Sequence, residues 1–249
     1  MRSIIGQIRP DRQILLFSAT FQKKVQKLCM DILNDPIRIN IGKENQVIRS
    51  LFPNYLSILQ ANEDVKQEVA VFTKKEDKFA WILANLPYLA QHGKILIFVN
   101  QIVSCEELAQ QITQSLGLST LILHGDKLQH ERTQIINTFK LSPEENILVA
   151  TDIASRGLDI PEIRAVINYE VPKDGDTYIH RIGRTGRAGN KEGTAYTLLL
   201  KHELQFSLIL TKILEISGQP VPKELEEIAL LDEEYVRLKK MKKMGLSKQ

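Results

Sequence analysis

The sequence predicts an α/β domain, a parallel β-sheet flanked by helices on both faces. Three observations lead there. From about Lys94 onward, short β-rich runs alternate with segments of helical periodicity. The runs are continuously apolar, as Ile95 to Val99 is, which marks strands buried on both faces. Polar clusters follow Val99, Leu123, Ala150 and Asn168, at the carboxyl ends of the expected strands, where open parallel sheets bind ligands.

Taken in order, Gln13 to Phe17 reads as a strand and Phe21 to Leu33 as an amphipathic helix. One strand and one helix cannot bury a core of their own. Residues 1–41 therefore read as the end of a domain whose remainder is absent, with exposed edges that invite association between chains. Residues 42–64 read as a linker, yet Val47, Ile48, Leu51, Phe52, Tyr55, Leu56, Ile58 and Leu59 make it unusually apolar. Three readings stand for this insertion: a partner-binding helix, a segment packed on the 1–41 remnant, or a mistranslated stretch.

The main domain is expected over residues 65–218. Val65 to Phe72 is its entering strand, and Asp77 to Leu89 its first helix, with Trp81 as a core anchor. Ser104 to Leu116 has apolar residues at helical spacing and a stop at Gly117. Thr120 to Leu123 is a strand, Gln129 to Phe139 an amphipathic helix, and Ile147 to Ala150, Ala165 to Asn168 and Gly193 to Leu200 are strands. His202 to Ile216 closes the domain before Gly218 and Pro220. Residues 219–249 read as a charged, lysine-rich tail, a solvated helix end.

Composition narrows the function. The chain has 249 residues, 43% hydrophobic and 25% charged, with a net charge of only +3. No global field draws it to nucleic acid, so such contact must come from a local patch. Cys29 and Cys105 lie far apart, which argues for plain buried thiols in a reducing compartment and against a metal site. No apolar stretch approaches a membrane span and no signal-peptide core follows Met1, so an intracellular protein is expected.

One local patch stands out. His180-Arg181-Ile182-Gly183-Arg184-Thr185-Gly186-Arg187-Ala188-Gly189 carries four cations within eight residues and no acid. Arginine suits two-pronged contact with phosphate oxygens, and Gly183 and Gly186 would clear the backbone for a large ligand. The run reads as a phosphate-gripping loop.

The clusters together carry a resemblance. Ser18-Ala19-Thr20, Ile97-Phe98-Val99-Asn100, His124-Gly125-Asp126 with Gln129 and Arg132, Ala150 through Asp159, and the arginine run occur in one order and spacing. These resemble the carboxyl-terminal half of a DEAD-box RNA helicase of superfamily 2, over about residues 11–41 and 64–218. The resemblance implies a RecA-like second lobe preceded by the last strand and helix of the first. Arg9-Pro10-Asp11-Arg12-Gln13 and Ala61-Asn62-Glu63-Asp64-Val65 look most like a spliceosome-associated member. An Asp-Glu-Ala-Asp motif and a phosphate loop are missing from the sequence. In the family these hold the triphosphate and magnesium, so ATP with Mg2+ is expected as cofactor, the magnesium held by the missing first domain.

The resemblance also implies roles. Arg184 and Arg187 match arginine fingers that stabilise the transferring phosphoryl group; a surface salt-bridge cluster with Glu170 or Asp174 is the competing reading. Asp159 would accept hydrogen bonds from the ribose of ATP, or else serve as a turn residue before Pro161, and Gly157 would admit the nucleotide. Thr151 would meet an RNA phosphate where strand becomes helix, a place where threonine also caps helices. Arg132 and Gly125 would line the same RNA path. Ser18, Ala19, Thr20, His180 and Arg181 would couple the two lobes; in the competing reading His180 and Arg181 hydrogen-bond the Ser18-Ala19-Thr20 segment or a neighbouring carboxylate. Asp152 and Arg156 would organise their loop, and Phe98 belongs to the core.

No contact in this set reads a base edge, so RNA binding without sequence preference and with salt dependence is expected. The whole reads as the carboxyl-terminal part of an ATP-dependent RNA helicase. The chain by itself is expected to be inactive as an ATP hydrolase. Its expected partners are RNA, ATP, spliceosomal or other RNP proteins and, through residues 1–40, itself; no membrane is expected, and a nuclear location is favoured over a cytoplasmic one. Two alternatives remain open: a catalytically inactive RNA- or protein-binding module, and a DNA-directed superfamily 2 helicase, against which Gln129, Arg132 and the 150–159 wording argue.

Overall fold

The computed structural model describes residues 5–9, 11–17, 23–37, 39, 65–152, 163–186 and 193–243. Among the elements that lie wholly within the described residues, the first is α1 (Lys23–Ile32). It is followed by β1 (Lys66–Phe72), α2 (Lys75–Gln91), β2 (Lys94–Val99), α3 (Ile102–Leu116), β3 (Leu121–Leu123) and α4 (Gln129–Leu141). Then come β4 (Ile147–Thr151), β5 (Ile163–Asn168), α5 (Gly175–Ile182), β6 (Thr194–Leu200), α6 (Leu204–Ile216), α7 (Lys223–Ala229) and α8 (Glu233–Lys243).

The strands form one six-stranded sheet in the order β1-β6-β5-β2-β4-β3. Every pairing is parallel. All six residues of β2 are buried, as its unbroken apolar run predicts. Alternation divides them between two cores. Ile95, Ile97 and Val99 pack with Ile82 and Leu86 of α2 and with Cys105, Leu108 and Ile112 of α3. Leu96 and Phe98 face the other way, with Phe139 of α4, Tyr178 of α5, Phe206 and Leu210 of α6, and Leu225 of α7. The expected layered α/β architecture is what forms.

The chain crosses from β4, on one side of β2, to β5 on the other. That reversal makes the carboxyl ends of β2, β4 and β5 a topological switch point, the place where ligands bind in sheets of this kind.

Three expectations need correction. Gln13 to Phe17 is not a strand: these residues lack regular structure, and Leu15 and Phe17 are 66% and 88% exposed. A strand is made by pairing, and no described strand flanks this one. His180, Arg181 and Ile182, expected to begin a phosphate-gripping loop, are instead the last residues of α5. The segment from 219 is not simply a solvated tail, because α7 packs on the domain through Leu225, Ile228 and Ala229, and Tyr235 of α8 is buried. Apolar spacing there is masked by the surrounding charges. Trp81 packs against the core of Ile82, Leu86 and Ile95 but is only half-buried, at its rim, tilted against Tyr196 at 5.3 Å between ring centroids.

Candidate functional site

Register brings the polar clusters together. Leu123 pairs with Ala150, Val99 with Thr151, and Phe98 with Asn168. The carboxyl ends of β3, β4, β2 and β5 therefore lie side by side, each step about 4.8 Å. That edge carries His124 and Gly125 after β3, Thr151 and Asp152 at the end of β4, Asn100 after β2, and Asn168 to Glu170 at the end of β5.

The element that crosses this edge is α5. Asp174 caps it, its Oδ1 accepting from the Thr177 N–H at 2.7 Å. Tyr178 and Ile182 face the sheet and are 0% and 1% exposed. The same face carries Arg181, 1% exposed although it is a cation. All five of its N–H donors have acceptors. Nε donates to Asp152 Oδ1 at 2.6 Å and Nη2 to Asp152 Oδ2 at 2.8 Å, a two-pronged ion pair. Nη2 also reaches Asn100 Oδ1 at 2.8 Å, and Nη1 reaches the Glu170 carbonyl at 2.6 Å and Asn168 Oδ1 at 3.4 Å. The guanidinium carbon stands 5.0 Å from the Phe98 ring centre. A buried charge is tolerated only with this degree of pairing.

The donors of Arg181 are thus all taken up inside this domain, and the carboxylate they meet is that of Asp152. His180, on the outer face of the same helix, is exposed. Arg184 follows the helix end and is half-exposed; its N–H donates to the Arg181 carbonyl at 3.1 Å and its Nε to the His180 carbonyl at 3.2 Å. Gly183 was expected to clear the backbone for a ligand, but it closes α5 with an ordinary φ of −68°. Gly186, with φ of +65°, sits in the left-handed region that glycine alone enters cheaply. A Cβ on Gly193 would lie 2.5 Å from the Gly186 nitrogen, so β6 begins hard against this loop.

Thr151 closes β4 and is 7% exposed. Gly125 is exposed, with open space where a side chain would stand. Arg132 lies in the first turn of α4, half-buried, where the Glu131 carboxylate accepts from the Leu128 N–H at 2.7 Å and starts the helix. Gly125 thus follows β3, Thr151 ends the adjacent strand β4, and Arg132 opens the helix that comes after β3. Gly157, Asp159, Arg187, Ser18, Ala19 and Thr20 lie outside the described residues.

Sequence reasoning missed α5; it offered a neighbouring carboxylate as a partner for Arg181 but did not single out Asp152. Asp174 three residues before Thr177, then Tyr178, Ile179 and Ile182 at helical spacing, was the available signal. The arginine run drew attention to a loop instead.

Two further groups brace the edge. Lys78 of α2 is 2% exposed; its Nζ donates to the Tyr169 carbonyl at 3.1 Å and lies 3.7 Å from Glu203 Oε2. Burial lowers its pKa, and the Glu203 and Glu170 carboxylates act in the opposite sense. Cys105 is fully buried under β4, its thiol donating to the Val149 carbonyl at 3.3 Å, and burial pushes its pKa up to about 12. Cys29 is buried and free as well. Among the described residues no three His, Cys, Asp or Glu side chains are grouped to hold a metal ion, and no helix is long and apolar enough to cross a membrane.

Residues 74–189 match the helicase conserved C-terminal domain. The DEAD-box ATP-dependent RNA helicase 24 of Oryza sativa subsp. japonica is 44% identical over 232 residues, which is 93% of this chain and 28% of that protein. The chain thus spans little more than a quarter of that relative's length. The crystal structure of E. coli DEAD-box protein SrmB bound to regulator of ribonuclease activity A matches 65% of this chain and 93% of its own, at 34% identity and a TM-score of 0.54. The S. cerevisiae protein Dbp5, solved bound to RNA and ADP BeF3, matches over 94% of this chain and 57% of its own, at 27% identity and a TM-score of 0.68.

Proposed function

This chain belongs to the DEAD-box family of RNA helicases and carries the family's RecA-like helicase C-terminal domain; from that premise we propose that it acts as the second lobe of an ATP-dependent RNA unwinding or RNP-remodelling enzyme. The observation that carries this reading is the alignment of four polar strand ends at one edge, with Arg184 held beside them by α5. The Dbp5 relative was solved with RNA and a nucleotide, which supports an edge of this kind serving both ligands.

ATP binds between this lobe and a first lobe that supplies the triphosphate grip and magnesium. Asp159 accepts from the ribose hydroxyls, Gly157 gives the nucleotide room, and Arg184 and Arg187 face the transferring phosphate. Charge spreads over the phosphoryl oxygens in the transition state, and fixed guanidinium groups stabilise it there. RNA crosses Gly125, Arg132 and Thr151, held through its backbone. Closure of the lobes on both ligands, with Ser18, Ala19, Thr20 and His180 at the junction, bends one strand and opens a short duplex. Hydrolysis then releases the clamp. RNP proteins are the expected partners and the nucleus the expected place.

The test is ATP hydrolysis by the full-length gene product with and without single-stranded RNA. RNA-stimulated turnover that Arg184→Ala abolishes is expected. A product that binds RNA but never hydrolyses ATP would overturn the enzymatic reading in favour of a binding module.

A further inference from the structure

The buried cation Arg181 has a geometry that stability alone does not require. Replacing a buried ion pair with apolar side chains of similar volume is commonly neutral or stabilising. What the pair adds is orientation: a flat guanidinium against a carboxylate at 2.6 and 2.8 Å has one way to sit. The same group also reaches Asn100 and the Glu170 carbonyl, so it ties α5 to the ends of β4, β2 and β5 at once. Asn100 tightens the knot, its Nδ2 donating to the Val171 carbonyl at 2.9 Å and its backbone N–H to Glu170 Oε2 at 2.7 Å.

Two neighbours give this knot its consequence. Asp152 directly follows Thr151, and Arg184 lies one helical turn beyond Arg181, bonded to it through the backbone at 3.1 Å. The seat of the proposed phosphate contact and the seat of the proposed finger are therefore held at a fixed separation by one side chain. We propose that Arg181 is a positioning residue: its two-pronged pair with Asp152 links the RNA-bearing end of β4 to the finger-bearing end of α5, so that RNA seated on one aligns Arg184 on the other. This rests on the functional reading above and adds to it the part that joins the two ligands.

The experiment uses the full-length gene product at saturating RNA, with kcat and KM for ATP measured beside thermal unfolding. Arg181→Lys keeps the charge but not the fork. The pair Asp152→Leu with Arg181→Met fills the space without the ion pair and keeps the fold testable if the lysine variant unfolds. Both are expected to lower kcat at least ten-fold with KM within two-fold, because a misaimed finger weakens the transition state and not the bound substrate. The apolar pair leaves the Asn100, Asn168 and Glu170 acceptors without their donor and is expected to melt below the wild type, so kcat is read at a temperature where both variants are fully folded and lost fold cannot produce the result. A kcat within two-fold of the wild type in either variant overturns the proposal, as does a loss that appears in KM alone. Arg184→Ala in the same assay separates the two levels. If it is harmless, or if the wild type shows no RNA-stimulated turnover, the functional reading fails. If it is damaging while the Arg181 variants are not, only the positioning role fails.

Discussion

Removing one oxygen atom, with Tyr178→Phe, tests how the helix that carries Arg184 is held. Tyr178 is fully buried, its ring edge-on to Phe206 at 5.8 Å between centroids. Its hydroxyl donates to Gln67 Oε1 of β1 at 3.0 Å and accepts from Thr197 Oγ1 of β6 at 3.3 Å. Phenylalanine keeps the ring packing, so the loss is polar. Gln67 Oε1 loses its donor, while Thr197 Oγ1 still accepts from Asn168 Nδ2 at 3.3 Å. One acceptor fully stranded and one hydroxyl partly so should cost about 2–3 kcal/mol. For a domain of this size that is a fall in melting temperature of about 4–12 °C. Thermal and urea unfolding measure it. A double variant with Thr197→Val should cost less than the sum of the singles by about 0.5–1.5 kcal/mol, since removing both partners strands nothing between them. The alkaline limb gives a second readout. Burial raises the Tyr178 pKa, so above about pH 10 the unfolded chain releases a proton that the folded chain keeps. Stability then falls with pH, at up to about 1.4 kcal/mol per pH unit for this group, and Tyr178→Phe removes that share. A variant within about 0.5 kcal/mol of the wild type, with an unchanged alkaline slope, would refute the reasoning, because that is the range of substitutions that touch nothing important.

Other outcomes follow from the same structure. Arg184→Ala should reduce RNA-stimulated kcat by about 10³- to 10⁵-fold in steady-state assays of the full-length product. Arg132→Ala should weaken RNA binding evenly across sequences and lower the slope of log affinity against log salt by about 0.7 in a filter-binding titration. Cys105 should resist thiol reagents at neutral pH until denaturant is added. Between pH 9 and 12 its retained proton should make stability fall as pH rises, a dependence that Cys105→Ala relieves. Gly117→Ala should cost about 1–2 kcal/mol in urea unfolding, since the residue ends α3 at φ +65°. The isolated chain should hydrolyse ATP negligibly, and robust RNA-stimulated turnover by it would contradict the two-lobe reading.

Much of this protein is legible in its sequence, because local signals and burial agree through the middle of the chain. The apolar runs of β2, β4 and β5 can form only as strands covered on both faces, and Gly117 stops α3 because its backbone turns left-handed there. Those strand ends, and the polar residues after them, place the candidate site before any coordinate is known. Three things needed the tertiary structure. The apolar run at 13–17 is strand-like in composition, but strand formation depends on a partner and no described strand supplies one. The helix at 175–182 is short, and its apolar face is interrupted by the very arginine that draws attention to the loop. And the charge count of the arginine run says nothing about direction. Arg181 and Arg184 have the same chemistry and lie three residues apart, yet helical geometry points the first into the Asp152 carboxylate and leaves the second half-exposed beyond the helix end. Sequence alone determines which residues can grip an anion; only the packing of α5 on the sheet decides which of them is already gripping one.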